Sequence, residues 1–302
     1  MIGIDIGGAN IKIVTDDEVI IRYCPLWEKA PLGDILSEFD DDAAIVMSGE
    51  LADCFNNKSE GVRFIVDAVR GALPKARFYG TDAAFHAGPA PELAAANWLA
   101  SADLLKDRYQ DALLIDLGST TADIIPLQPF EDLKGQTDLS RLRAGYLVYC
   151  GMLRTPVSSL VRSACIDGYE TPLSTEYFAS AGDAHLVLGH ITSDEYTVAT
   201  PDGKEATREK SLLRLARMAC ADLDEIGEEG AVAIAEAFWD AQRTLIGDAL
   251  GRTGRETILA AGIGAELIHT TFGGINLTQD LGRFADALPA YAVREVAIRN
   301  GI

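Results

Sequence analysis

Apolar residues fall in short blocks along this chain, and the spacing inside each block predicts an element. Ile2–Ile6 is an apolar run interrupted by Asp5 and stopped by Gly7-Gly8; Ile11–Val14 follows with Lys12 in it. This predicts two short strands joined by a tight Gly-rich turn. Val19–Tyr23 adds a third strand, so the chain opens as a meander. Asp34–Phe39 predicts a short helix, and Ala43–Met47 a buried strand ending at Ser48-Gly49. Val62, Ile65, Val66, Val69 and Leu73 recur at helical spacing, which gives an amphipathic helix over Gly61–Leu73 that Pro74 ends. Arg77–Tyr79 reads as a strand. Pro91–Tyr109 reads as a long helix rich in Ala and Leu, with Trp98 taken as a core residue.

The opening pattern then returns. Residues 113–126 read LLIDLGSTTADIIP, and Ile4–Val14 lies over Ile115–Ile125 with the apolar positions, the Asp, the following Gly and the small polar turn coinciding. An internal repeat implies two related halves. Residues 127–143 are polar and irregular, hold Thr137-Asp138 and Arg141, and read as a loop or flap. Tyr146–Tyr149 reads as a strand, Lys210–Ile226 and Ala231–Leu250 as helices, and Thr257–Ala261 as another buried strand. Pro289–Arg299 is a closing helix expected to pack back on the first half. The expected organisation is one domain over 1–111, a second over 112–288, and 289–302 returning to the first.

Two acids occupy matching places in the repeat. Asp5 and Asp116 each stand at the end of an apolar strand, where a carboxylate can hold hydrated Mg²⁺. Gly7, Gly8 and Asn10, and likewise Gly118, Ser119, Thr120 and Thr121, form turns whose N–H groups can cradle phosphate oxygens. Gly7 and Gly8 are expected to allow close approach and positive φ. Each hairpin alone reads equally well as an ordinary turn; the repeat favours a two-sided clamp. Gly262-Ile263-Gly264, after a strand and before a helix, is a third Gly-rich strand end. Glu50, Asp53 and Lys58 crowd past the end of the Ala43–Met47 strand, where open α/β sheets place ligands, or form a solvated loop and helix cap. Asp82 follows another strand. Arg154 sits beside a Gly turn and reads either as a bidentate partner for phosphate or carboxylate or as a surface Arg.

Composition narrows the partners. The 302 residues are 48% hydrophobic and carry a formal net charge of −20, which argues against nucleic acid or an anionic membrane as the main partner. No apolar run is long enough to span a bilayer. The five Cys lack CxxC spacing and no signal peptide precedes them, so free thiols in a reducing cytoplasm are expected. The four His show no zinc-binding spacing.

Asp5-x-Gly7-Gly8, the Asp116–Asp123 run Asp-x-Gly-Ser-Thr-Thr-x-Asp, and the late Gly262-x-Gly264 resemble the acetate and sugar kinase, heat-shock protein and actin superfamily. That resemblance implies an α/β fold of two ribonuclease-H-like domains whose mixed sheets flank a phosphate-binding cleft. Ordered segments over almost the whole chain carry a closer resemblance. They include Met47–Phe55, Lys58–Val62, Tyr79–Asp82, Ala96–Trp98, Ile115–Pro126, Leu153–Pro156 and Ala184–Gly189. They are similar to the hydantoinase/oxoprolinase-like proteins, and among these to the methanofuran-biosynthesis synthases.

The closer resemblance implies an alkyl transfer. The phenol oxygen of γ-glutamyltyramine would join an aminomethyl-furanmethyl diphosphate and release diphosphate. It implies Mg²⁺ on Asp5 and Asp116, with Lys12 and the two turns stabilising the leaving group. Glu50, Asp82 and Asp123 are the candidates to take the phenol proton. Lys58 or Arg154 would hold diphosphate or the glutamyl carboxylate, and Asp53 is a candidate partner for the furan amine. The wider superfamily leaves open an ATP-dependent small-molecule kinase, with ATP as cofactor. Partners are expected to be small molecules, with a homo-oligomer also open.

Overall fold

The computed structural model describes residues 1–28, 31–254 and 257–302. The first half contains β1 (Ile2–Ile6), β2 (Asn10–Val14), β3 (Val19–Tyr23), α1 (Leu32–Leu36), β4 (Ala43–Met47), α2 (Lys58–Ala72), β5 (Arg77–Tyr79), β6 (Phe85–His86) and α3 (Asn97–Leu105). The second contains β7 (Ala112–Leu117), β8 (Ala122–Pro126), α4 (Asp138–Ala144), β9 (Leu147–Val148), α5 (Val157–Leu160), β10 (Ser163–Ile166), β11 (Tyr169–Pro172), α6 (Ala181–Val187), α7 (Arg208–Met218), α8 (Leu223–Thr253), β12 (Thr257–Ala261), α9 (Ala265–Phe272), β13 (Ile275–Asn276) and α10 (Thr278–Leu281). α11 (Leu288–Arg299) closes the chain against β1, β4 and α3.

The duplication extends beyond the hairpins to whole sheets. The first sheet runs β3-β2-β1-β4-β5-β6 and the second β9-β8-β7-β12-β13. Each has a three-stranded antiparallel meander whose first strand also pairs in parallel with a fourth, and the fourth with a fifth. This is the same ribonuclease-H-like sheet built twice, and the two together form the actin/sugar-kinase-like α/β architecture.

Strand parity places the acids. Side chains alternate faces along a strand. Ile2, Ile4 and Ile6 pack with Val62, Ile65 and Val66 of α2 in one core. Gly3 and Asp5 therefore face the other way, and α11 lies so close there that a Cβ on Gly3 would fall 2.0 Å from the Ala290 carbonyl oxygen. In β7, Ala112 and Leu114 join a core shared with Ala44 and Val46 of β4, Trp98 and Leu99 of α3, and Val293 of α11. Asp116 shares their face. Both acids thus end their strands on the sides turned to the seam between the sheets. Each buried Ile behind them stabilises this arrangement by about 1.5–3 kcal/mol.

Several elements differ from the sequence expectation. The long helix over Pro91–Tyr109 is a 3₁₀ turn at Pro91–Leu93 followed by α3, because Ala95 breaks the run at φ 51°. The irregular 127–143 stretch contains α4, started by a reciprocal Thr137–Ser140 capping box. The helix expected at Lys210–Ile226 stops at Met218, and Cys220 turns the chain at φ 56°. Asp222 then caps α8, whose first turn is kinked from the rest at Gly227. α2 starts at Lys58 because the Asn57 side chain accepts the Glu60 N–H. The β10–β11 hairpin, turning at Asp167-Gly168 with positive φ at both, was not expected. Among the described residues no helix is long and apolar enough to cross a membrane.

Candidate active site

The two turns have the same construction. The Gly7 N–H donates to the Asn10 carbonyl at 3.0 Å, and Gly118 N–H to the Thr121 carbonyl at 2.9 Å. A later segment then ties down the carbonyls of each turn. Cys24 and Leu26 donate to Ala9 and Gly8; Met152 donates to Gly118, and Leu153 and Arg154 both donate to Ser119. The amides of Gly8, Ala9, Ser119 and Thr120 donate to no acceptor among the described residues. Fixed carbonyls with free amides make an anion-binding nest. The glycines do this without positive φ, contrary to expectation: neither Gly7, Gly8 nor Gly118 adopts it. The value of Gly8 is instead open space, since a Cβ there would meet nothing within 4 Å. Gly151 supports the second nest from behind, 2.5 Å being all that a Cβ would leave to the Thr120 backbone.

Asp5 sits directly opposite Lys12 in the β1–β2 register, and Asp116 opposite Asp123 in β7–β8. Burial pushes the Asp5 carboxyl up to about 6; Lys12 opposes this and Asp123 adds to it. Burial likewise pushes Asp116 up to about 7, reinforced by Asp123 and Asp5 and opposed by Lys12. The acids of the two halves therefore share one electrostatic field. Oδ1 of Asp5 is buried without a hydrogen-bond partner. Lys12 Nζ donates to the backbone carbonyl of Asp286 at 2.6 Å, just before α11, which aims the ammonium into the seam. Among the described residues no group of three or more His, Cys, Asp or Glu could hold a metal by itself. Two under-compensated carboxylates beside phosphate-ready amides do fit Mg²⁺, which typically takes one or two carboxylates plus substrate phosphate oxygens.

Next to these acids lies a group that joins the halves. Arg141 of α4 is buried and pairs with Asp123 through Nη2 and with Asp138 through Nη1 at 3.3 Å. Its guanidinium lies 4.2 Å over the Trp98 ring of α3. Trp98 is thus core, as expected, and also a platform for the cation beside the site. Burial pushes Asp123 up against the pull of Arg141. Glu50 is buried, 3.7 Å from Lys58 Nζ, and burial raises its pKa, with Asp138 contributing in the same direction.

The other expected residues lie elsewhere or serve the chain itself. Asp82 accepts from the Ala84 amide and sits 3.1 Å from His86 Nε2, closing the β5–β6 turn, and no contact joins it to Asp5 or Asp116. Asp53 is exposed. Arg154 is exposed, with its guanidinium 5.7 Å from the ring of Trp27, so a residue anchored to the second turn meets one from the segment anchored to the first. Gly262 and Gly264 pack against the end of β7: a Cβ on Gly262 would lie 2.4 Å from Asp116 Oδ1, and one on Gly264 2.4 Å from Leu117. The close approach these glycines permit is to the acid-bearing strand. Asp286 and Trp27 were not singled out from sequence, and Asp138 was noted only within the 127–143 stretch; packing brings them near the motifs.

Residues 41–257 match the family described as Hydantoinase/oxoprolinase. A curated relative from Methanocaldococcus jannaschii is 35% identical over 320 aligned positions, covering 98% of this chain and 97% of its own. It is named (4-{4-[2-(gamma-L-glutamylamino)ethyl]phenoxymethyl}furan-2-yl)methanamine synthase. A relative of the same name from Methanococcus vannielii is 37% identical over 163 positions, 53% of this chain and 73% of its own. Among solved structures, an archaeal actin homologue is 15% identical with TM-score 0.46, covering 99% of both chains. A nucleotide-free acetone carboxylase is 14% identical with TM-score 0.46, covering 94% of this chain and 51% of its own. The matched family region and the full-length relative make this chain a member of the hydantoinase/oxoprolinase family.

Proposed function

We propose that this protein makes the product for which its relatives are named, and does so as a transferase, joining the phenol oxygen of γ-glutamyltyramine to an aminomethyl-furanmethyl diphosphate. The observation that carries this is the pair of matched turns, with four unengaged amides between them, beside two acids whose carboxyls are pushed up by burial, one of them, Asp5, with an unpartnered buried oxygen. Such a site suits a diphosphate leaving group. The furfuryl carbon–oxygen bond breaks with its electron pair going to diphosphate, and the phenol oxygen forms the new bond to that carbon. The phenol proton goes to the departing diphosphate, which is basic enough to take it from the oxygen once that oxygen is bonded to carbon. Asp123 is engaged by Arg141 and Asp82 lies apart, so neither is needed as a base.

The chain's own groups have separate tasks. The amides of Gly8, Ala9, Ser119 and Thr120 grip diphosphate oxygens, and Lys12 neutralises charge as it develops on them. Asp5 and Asp116 would hold Mg²⁺, which when bound supplies further charge neutralisation of the leaving group. Burial of the seam excludes water that would otherwise trap the furfuryl cation.

Purified protein given both substrates and Mg²⁺ tests the reading. Diphosphate and the aryl ether should appear without ATP. No ether under those conditions overturns it, and ADP formation dependent on a small acceptor would favour an ATP-dependent small-molecule kinase instead.

A further inference from the structure

Behind the second nest runs a line of polar contacts that the reaction above does not use. His185 of α6 and Gln242 of α8 are both fully buried, with the rings of Phe238 and Trp239 against the His185 ring. Gln242 Nε2 donates to the Gly151 carbonyl at 3.1 Å. His185 Nε2 lies 2.8 Å from Gln242 Oε1, and His185 Nδ1 lies 2.9 Å from Nδ1 of the half-buried His190. Thr155 Oγ1, 3.5 Å from the Gly151 carbonyl, is a weaker donor to it.

One direction of donation satisfies the whole line. A carbonyl oxygen only accepts, so the Gln242 amide turns its nitrogen to Gly151 and its oxygen to His185. His185 Nε2 therefore carries a proton. Burial holds this ring neutral, so its Nδ1 is bare and accepts from His190 Nδ1–H. The Gly151 carbonyl belongs to the same planar peptide unit as the Met152 N–H, which donates to the Gly118 carbonyl at 2.9 Å. The Gly118 carbonyl in turn shares its peptide unit with the Ser119 N–H, an unengaged amide of the nest. Every donor from His190 to Ser119 thus points toward the anion site. Hydrogen bonds aligned in this way polarise one another by about 10–30% per bond, which makes the Ser119 N–H a stronger donor.

We propose that His190, His185 and Gln242 are positioning residues that orient and polarise the Ser119 amide toward the diphosphate of the substrate. This rests on the diphosphate grip proposed above. The three side chains act through the Gly151–Met152 and Gly118–Ser119 peptides and take no part in bond making. Their task is to keep one nest amide aimed and strengthened while charge builds on the leaving group.

The test reads that amide directly. Gly118-Ser119 is the one Gly-Ser pair in the chain, so full-length protein with label on the glycine carbonyl carbons and the serine amide nitrogens gives a single Ser119 amide resonance. Titrating magnesium diphosphate into wild type should move the amide proton downfield in a saturable way and yield a dissociation constant. Gln242→Met should reduce the shift reached at saturation and weaken diphosphate binding by about threefold or more. His190→Phe keeps a ring against Trp239 and removes the first donor of the line. It should act in the same direction with a smaller effect, and it carries the test if Gln242→Met does not fold. A folded variant with wild-type shift and affinity overturns the relay alone. Weakened binding with the full shift at saturation points to general loosening and overturns it too. Wild type whose Ser119 resonance ignores diphosphate overturns the grip of the second nest and the relay with it.

Discussion

Asp123 faces Asp116 across the β7–β8 hairpin in the register position that Lys12 holds opposite Asp5 in β1–β2. The repeat is thus symmetric in backbone and asymmetric in charge. One hairpin sets a cation against its acid; the other sets a second acid, which must be balanced by Arg141 from α4. Diphosphate and a divalent cation would need just such an uneven field, with anion grip on one wall and excess negative charge on the other.

Removing one acid should raise stability while lowering activity. Asp116 is raised from 3.8 to about 7 and Asp5 to about 6 in the folded protein. The unfolded chain releases those protons first, so their contribution to stability falls as pH rises from about 4 through about 7. Metal-free Asp116→Asn should melt above wild type at about pH 8, with the difference vanishing near pH 4. Its turnover should fall by about 10²–10³-fold. A variant that melts below wild type at the higher pH would contradict the assignment of an uncompensated acid.

His185 should act in the opposite sense. It is fully buried with Nε2 2.8 Å from Gln242 Oε1 and Nδ1 2.9 Å from His190 Nδ1. Burial, and then His190, push its pKa from 6.5 down to about 3. The unfolded state binds the proton first, so stability is lost as pH falls from about 6.5 toward 3. Urea midpoints measured over that window should fall more steeply for wild type than for His185→Asn. Equal slopes would mean that His185 is not held neutral.

Gly262 has no room for a side chain. It adopts φ 78°, and a Cβ would lie 2.4 Å from Asp116 Oδ1. Gly262→Ala should therefore displace the carboxylate, with a stability loss of about 1–3 kcal/mol from backbone strain and a large loss of turnover. Retained activity with lowered stability would show that Asp116 need not keep this position.

Arg141 is the tie between halves. Arg141→Met leaves Asp123 and Asp138 without their cation and removes the stack on Trp98. Breaking a buried pair in this way costs about 3–5 kcal/mol. Adding Asp123→Asn should restore part of that loss, because the stranded charge goes with it. A double-mutant cycle in urea unfolding measures the coupling, and additive losses would deny the interaction.

Much of this was legible beforehand because it is local. Ile2–Ile6, Val19–Tyr23, Ala43–Met47, Arg77–Tyr79 and Thr257–Ala261 were strands on their apolar runs alone, and they are strands here. The Asp-x-Gly echo identified the duplicated hairpin, and with it the two acids. Helix limits were less legible. Caps at Asn57, Thr137 and Asp222 and breaks at Ala95 and Gly227 depend on single backbone angles and hydrogen bonds that periodicity does not record.

By itself, then, the sequence determined the repeated strand–turn–strand unit, the acids that end its strands and the glycines that keep its turns open, since these follow from alternation and backbone sterics over a few residues. The tertiary structure decided which face of each strand became the seam, and hence that Asp5 and Asp116 share one field. It also decided that Arg141 lies on Trp98, that Lys12 is aimed by Asp286, and that Glu50 is buried beside Lys58. Those relationships join residues tens to hundreds of positions apart. They arise only when α3 and α11 pack the two sheets against a common core, because charge and hydrogen bonding act through space and not along the chain.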